Sequence, residues 1–86
     1  MLAFVNPSTS FDDVRRAVRF WGHDGPFEVA FLVTREALDS FRPGMSDDEA
    51  SCLSVFNANR QSIHTAASRA YKAGKKSRLV IDKDEI

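Results

Sequence analysis

The chain has 86 residues, 43% of them hydrophobic and 28% charged, and its 12 basic and 12 acidic residues give a formal net charge of zero. The length suits one domain over residues 1–86, and the balanced charge argues against a dedicated nucleic-acid-binding protein, which normally carries an excess of positive charge. Because no apolar run approaches the roughly 20 residues of a membrane span and the start lacks a signal-peptide pattern, we expect a cytoplasmic protein without membrane association.

The N-terminal part of the chain predicts β-structure. Residues 2–5 form a short apolar strand that is ended by turn residues. Apolar residues alternate over 11–34, which indicates a β-hairpin. One face of the hairpin carries Val18, Phe20, Phe27, Val29, Phe31 and Val33.

The turn of this hairpin contains Asp24-Gly25-Pro26. Asp-Gly favours a tight turn, but Pro26 has no amide hydrogen with which to close a two-residue loop, so we predict a four-residue loop over 23–26. The apolar residues then stay together on one face. The predicted register pairs Gly22 with Phe27, Trp21 with Glu28, Phe20 with Val29, Arg19 with Ala30, Val18 with Phe31 and Ala17 with Leu32.

Helical signals begin after the hairpin. Thr34 suits the N-cap of a short helix over 35–41. Ser46-Asp47-Asp48-Glu49 has the pattern of a capping box, with the serine as N-cap. We predict that a long helix begins there and runs to about Ala73, and that Gly74 adopts the left-handed conformation that ends many helices.

The predicted long helix would measure about 42 Å, which exceeds the diameter of a compact domain of this size. We therefore expect it to overhang, bend or break, and the weak helix formers Ser54, Asn57 and Asn59 mark its middle. The apolar run at 79–81 predicts a last short strand.

Together these elements predict an α+β domain. We expect a small antiparallel sheet of about three to four strands, with the short helix and the long C-terminal helix packed on one face, in the order β-β-β-α-α-β. The predicted core is Phe4, Val18, Phe20, Val29, Phe31, Val33, Leu38, Phe41, Leu53, Phe56, Ile63, Ala67 and Val80.

Several short motifs follow one another along nearly the whole chain. They are Phe11-Asp12-Asp13-Val14 before Val18-Arg19-Phe20, an Asp24-Gly25 turn, Val33-Thr34 at a strand end, Glu36-Ala37-Leu38, and Phe56-x-x-Asn59-Arg60-x-x-Ile63. In this order and spacing the chain resembles a family of small proteobacterial proteins known as domain of unknown function 1488. The resemblance implies a compact α+β fold, with helices on one face of an antiparallel sheet, and it implies no reaction and no catalytic residues.

The second face of the predicted hairpin is a candidate contact surface. Arg19, Trp21 and Glu28 would share it, and a half-exposed tryptophan beside an arginine is common at protein interfaces. A cation–π contact between Arg19 and Trp21 is feasible there. The alternative is ordinary cross-strand packing without a binding role.

Arg60 lies on the apolar side of the predicted long helix, between Phe56 and Ile63. It would either bind an anion or a partner, or cover the edge of the core with its methylene stem while its guanidinium reaches water or a carboxylate. The carboxylates predicted for the second case are Asp12, Asp13 and Glu36.

The stretch 60–78 is basic. It holds Arg60, Arg69, Lys72, Lys75, Lys76 and Arg78 and no acidic residue. One interpretation is an edge that binds nucleic acid, and the other is that bases near a helix end complement its macrodipole. Since Tyr71 is the only aromatic residue in this stretch, base stacking is poorly supported and the pattern argues against a nucleic-acid partner.

The residue types usual in catalysis are sparse and separated. Cys52 and His64 lie about 18 Å apart along one continuous helix, too far for a nucleophile–base pair or a shared metal ion. We therefore predict no enzyme, no cofactor and no metal site. We predict a non-enzymatic interaction or structural module, which binds an unidentified protein or a second copy of the chain. The alternative is a nucleic-acid-associated protein that uses 60–78. The candidate interaction residues are Arg19, Trp21, Glu28, Arg60, Arg69 and Lys72.

Overall fold

The computed structural model describes residues 2–72 and 79–86. Its strands are β1 (Leu2–Ala3), β2 (Ser10–Asp12), β3 (Ala17–Asp24), β4 (Phe27–Thr34) and β5 (Leu79–Ile81). Its helices are α1 (Arg35–Phe41), α2 (Glu49–Ala58) and α3 (Arg60–Lys72), and a short 3₁₀ helix, η1, spans Lys83–Glu85. None of the helices in these two ranges is long and apolar enough to cross a membrane.

The strands form one mixed sheet in the order β1-β3-β4-β5. β3 pairs antiparallel with β4 along its whole length, and β1 and β2 pair antiparallel with its opposite edge. β5 runs parallel to β4, because the chain leaves β4, passes through the helices and returns in the same direction. The predicted α+β class is confirmed. The sheet differs from the predicted one in having five strands and a parallel pair.

The β3–β4 hairpin has a shorter loop than predicted. Asp24 pairs with Phe27, so the loop is only Gly25-Pro26, and Gly25 has a φ of 58°. A left-handed glycine before a proline suits a two-residue type II′ turn. Pro26 needs no amide there, because the closing hydrogen bonds belong to Asp24 and Phe27. The predicted register is therefore wrong, since Gly22 pairs with Val29, but a shift of two residues leaves every side chain on its predicted face.

The predicted long helix is broken in two. α2 begins after Asp48, whose carboxylate accepts a hydrogen bond from the Ser51 amide, so the N-cap is Asp48 and not Ser46. The break is at Asn59, which has φ −128° and ψ 24° and donates a side-chain hydrogen bond to the Val55 carbonyl at 2.9 Å. The molecule is 36 Å in its longest dimension, less than the roughly 42 Å of the continuous helix. The break therefore lies in the middle of the predicted helix, where the weak helix formers Ser54, Asn57 and Asn59 occur.

α1 and β5 have the bounds predicted from the sequence. Thr34 caps α1 by accepting a hydrogen bond from the Ala37 amide at 3.1 Å. The predicted helix end at Ala73 and Gly74 lies outside the described residues.

The helices cover one face of the sheet and enclose the core there. Its buried residues include Val18, Phe20, Phe31, Val33, Leu38, Phe56, Ile63 and Ala67, as predicted. Four further predicted core residues are only partly buried against it, namely Phe4, Val29, Phe41 and Leu53. The prediction that Val80 of β5 belongs to the core is wrong. Leu79 and Ile81 are buried, and Val80 lies on the opposite side of the strand.

Candidate interaction surface

The sheet has a second face, opposite the one that the helices of residues 2–72 cover, and we call it the uncovered face. It includes alternate residues of neighbouring strands, among them Arg19, Trp21 and His23 on β3, Glu28, Ala30 and Leu32 on β4, and Val80 on β5. Trp21, Leu32 and Val80 are half-buried, whereas Ala30 and Glu28 are exposed. The uncovered face therefore combines apolar side chains with opposite charges at Arg19 and Glu28, which lie diagonally across it.

The cross-strand neighbours on this face differ from the prediction. Trp21 lies opposite Ala30, and Glu28 lies opposite His23. The predicted Trp21–Glu28 pair is wrong because the short loop moves β4 by two positions along β3. The Nε2 atom of His23 is 3.6 Å from Oε2 of Glu28, a contact that is an ion pair only when the imidazole is protonated. The Glu28 side chain remains 54% exposed.

Arg19 contacts Asp12 of β2, with Nη2 at 3.5 Å from Oδ2. Asp12 is already bound by Arg15, whose backbone amide donates to Oδ1 at 3.0 Å and whose guanidinium donates to Oδ2 at 3.0 Å. These hydrogen bonds hold the pKa of Asp12 below its ordinary value. Arg19 is thus a second and more distant partner, and its side chain stays 39% exposed.

Arg60 lies away from the uncovered face. Its guanidinium donates to the Pro7 carbonyl and to the Asn57 side chain, each at 3.0 Å. Its guanidinium carbon is 5.0 Å from the centre of the Phe56 ring. The predicted carboxylate partners are wrong, because the segment between β1 and β2 brings a backbone carbonyl to this arginine. Arg60 therefore ties that segment to the helix break, and the cation–π contact of the described chain is here rather than at Arg19.

Arg69 and Lys72 are exposed on α3. They are also separate from Arg60, since α3 extends about 18 Å from Arg60 to Lys72. The remaining basic residues of the predicted patch, Lys75, Lys76 and Arg78, lie outside the described residues. The structure consequently divides the candidate residues between the two layers, with Arg19, Trp21 and Glu28 on the sheet and Arg60, Arg69 and Lys72 on the helices.

Cys52 and His64 lie on different helices. Cys52 is fully buried, and this burial raises the pKa of its thiol. His64 is stacked on Phe4, with ring centres 4.0 Å apart and planes 2° from parallel. Its pKa is lowered, first by burial and then by the charge of Arg60. In the described ranges, no group of three or more histidine, cysteine or acidic residues could hold a metal ion.

Sequence reasoning missed residues in both layers. On the uncovered face it missed Leu32 and Val80, which have no charge or motif to single them out. On α3 it missed Ser62 and Thr65, which line a groove with Arg69. The spacing of these residues, three and then four positions apart, was a usable signal, because such residues share one face of a helix.

The comparisons with known proteins agree with the resemblance. A family model described as "Protein of unknown function (DUF1488)" matches residues 2–81. The chain is also similar to the crystal structure of a protein of unknown function from Shewanella loihica PV-4 that belongs to the DUF1488 family, with a TM-score of 0.82. The two are 13% identical, over 93% of this chain and 90% of that one, so the likeness shows the fold alone. A search of curated proteins returned no match.

Proposed function

The chain belongs to the DUF1488 family of proteins of unknown function, and we propose that it is a non-enzymatic interaction module. Its uncovered face binds a second copy of the chain. The observation that carries this proposal is the half-buried Trp21, on the same sheet face as the half-buried Leu32 and Val80. Apolar patches rimmed by polar residues mark interaction sites, and tryptophan is enriched at their energetic centres.

The charges of the uncovered face favour a second copy over an unrelated partner. In the observed register, Arg19 and Glu28 lie four residues apart along the strands and on adjacent strands, which is about 14 Å along the strands and 5 Å across them. The midpoint of this diagonal is the Trp21–Ala30 pair. Consider two copies packed face to face about a two-fold axis that lies in the interface, passes through this pair and is perpendicular to the diagonal. This axis brings Arg19 of each copy opposite Glu28 of the other.

This symmetric arrangement also gives a strand-crossing angle close to that of packed β-sheets. With the axis perpendicular to the Arg19–Glu28 diagonal, the strands of one copy cross those of the other at about 40°, near the roughly 30° of aligned β-sandwiches. The half-buried Trp21 side chains then lie at the centre, where exclusion of water contributes most. The Arg19–Glu28 contacts lie at the rim, where they contribute orientation more than affinity.

The chemistry of the remaining side chains supports a non-enzymatic role. A buried thiol with a raised pKa, as in Cys52, is a weak nucleophile because little of it is thiolate. The imidazole of His64 is half-buried and stacked on Phe4, and it lies against the rings of Phe20 and Phe56, so it packs with the core.

The proposal is tested by the molecular mass of the pure protein, measured by sedimentation equilibrium over a wide concentration range. We expect a monomer–dimer equilibrium, which Trp21→Ala weakens by about 30-fold or more. Arg19→Glu weakens it as well, because it sets carboxylates against each other across the axis. Adding Glu28→Arg to that variant restores association.

The charge exchange separates the interface from folding. The repulsion between the introduced carboxylate and Asp12 is the same in the single and double variants, so recovery in the double variant reports the contact between copies. Arg42→Glu makes the same charge change at an exposed position after α1, and it should leave the equilibrium unchanged. A native protein that stays monomeric at millimolar concentration, or a double variant weaker than the single one, overturns the proposal.

A further inference from the structure

The helical layer contains a groove that is separate from the uncovered face. It lies between α1, α3 and the residue that follows η1, has a volume of about 360 Å³, and is lined by Phe41, Ser62, Thr65, Arg69 and Ile86. This volume is at the lower end of the range for small-molecule sites, which is about 300–1,000 Å³. The groove can therefore take a small molecule but not a folded partner.

One wall of the groove is polar and positively charged. Ser62, Thr65 and Arg69 follow one another on one face of α3, and helical side chains lean toward the N-terminus, so Arg69 extends over the turn that holds Thr65. The Thr65 hydroxyl donates to the Gln61 carbonyl at 2.9 Å. The Ser62 hydroxyl and the Arg69 guanidinium have no hydrogen bond or ion pair with the residues that the structure describes. Both are available as donors.

The opposite wall is apolar. The Phe41 side chain is half-buried beside the core, and Ile86 is 38% exposed. A guanidinium facing hydrocarbon suits a ligand with one anionic end and one apolar end, because Arg binds carboxylates through two parallel hydrogen bonds. Among the described residues that line the groove, Arg69 alone is charged, which matches a ligand with a single carboxylate.

We propose that this groove binds a small amphipathic monocarboxylate. The carboxylate accepts hydrogen bonds from Arg69 and Ser62, and the hydrocarbon chain packs between Phe41 and Ile86. Binding at this site does not depend on association through the uncovered face, because the two surfaces share no residue.

The test is a titration of ¹⁵N-labelled protein with sodium hexanoate, followed by amide chemical shifts. We expect saturable shifts at Ser62, Thr65, Arg69 and Ile86. Arg69→Leu should weaken binding by about tenfold or more, because it removes hydrogen bonds between charged groups. Lys72→Leu removes an exposed positive charge from the next turn of the same helix and should leave binding within about twofold of the native value.

Two further probes separate the parts of the ligand. Hexanol keeps the hydrocarbon and lacks the charge, and inorganic phosphate supplies an anion without hydrocarbon, so both should bind more weakly than hexanoate. The proposal is overturned if hexanoate produces no saturable shifts, if Lys72→Leu weakens binding as much as Arg69→Leu, or if either probe binds as tightly. The unliganded spectra establish that both variants are folded.

Discussion

Phe56 of α2 packs between the sheet and the helices. Its side chain is fully buried, and its ring centre is 5.2 Å from that of Phe20 and 6.4 Å from that of His64. The guanidinium carbon of Arg60 lies 5.0 Å from the same ring centre. Phe56→Ala therefore removes a ring that contacts the sheet, α3 and a charged side chain. We expect a loss of about 3–5 kcal/mol in the free energy of unfolding.

This loss is large for so short a chain. At about 0.05–0.15 kcal/mol per residue, the native protein is stable by only about 4–13 kcal/mol. Urea denaturation followed by circular dichroism measures the difference. Phe27→Ala is the matched control, since Phe27 is 72% exposed and its removal should change the stability by less than about 0.5 kcal/mol. If Phe56→Ala has the urea midpoint of the native protein, the proposed packing is wrong.

The remaining predictions concern pH and nucleic acid. Burial and the charge of Arg60 lower the pKa of His64 in the folded protein from its ordinary 6.5. The folded state therefore favours the neutral imidazole, and the stability that depends on it is complete above pH 6.5. This stability is lost as the pH falls through the lower pKa of the folded state. We expect the urea midpoint to fall below about pH 6.5 in the native protein and in His23→Gln, and less so in His64→Phe; equal falls in all three would contradict this. We also expect no binding of mixed DNA or RNA at about 50 mM salt. Fluorescence anisotropy measures it, and salt-sensitive binding that Lys72→Leu weakens would revive the nucleic-acid hypothesis for 60–78.

Local patterns were sufficient for the elements whose signals lie within a few residues. The Thr34 cap and the following apolar spacing predicted α1, because a cap needs only a side-chain oxygen and an amide three positions later. The alternation in β3 and β4 predicted which face is buried, and this survived a wrong register because a shift of two positions preserves the faces. The capping box placed the start of α2 only approximately, since Ser46 and Asp48 are both suitable caps.

Features that depend on distant residues were not predictable in this way. The run Leu79-Val80-Ile81 has no polar residue to mark its outer face, so only its parallel pairing with β4 decided that Val80 faces away from the core. The distant partner of Arg60 is the carbonyl of Pro7, a group that every residue carries and that no side-chain pattern reveals. The same holds for the groove, whose apolar wall combines Phe41 and Ile86, two residues far apart in the chain.

The amino-acid sequence by itself determined the α+β class, the buried side of the hairpin and the weak point of the long helix. These follow from side-chain periodicity and local backbone preference, which act between residues near in the chain. The tertiary structure alone decided the direction of β5, the diagonal of Arg19 and Glu28 across the uncovered face, and the pairing of Arg69 with an apolar wall. Those features arise because the chain must close its helices back onto the sheet, and the contacts formed by that closure join residues that no local pattern relates.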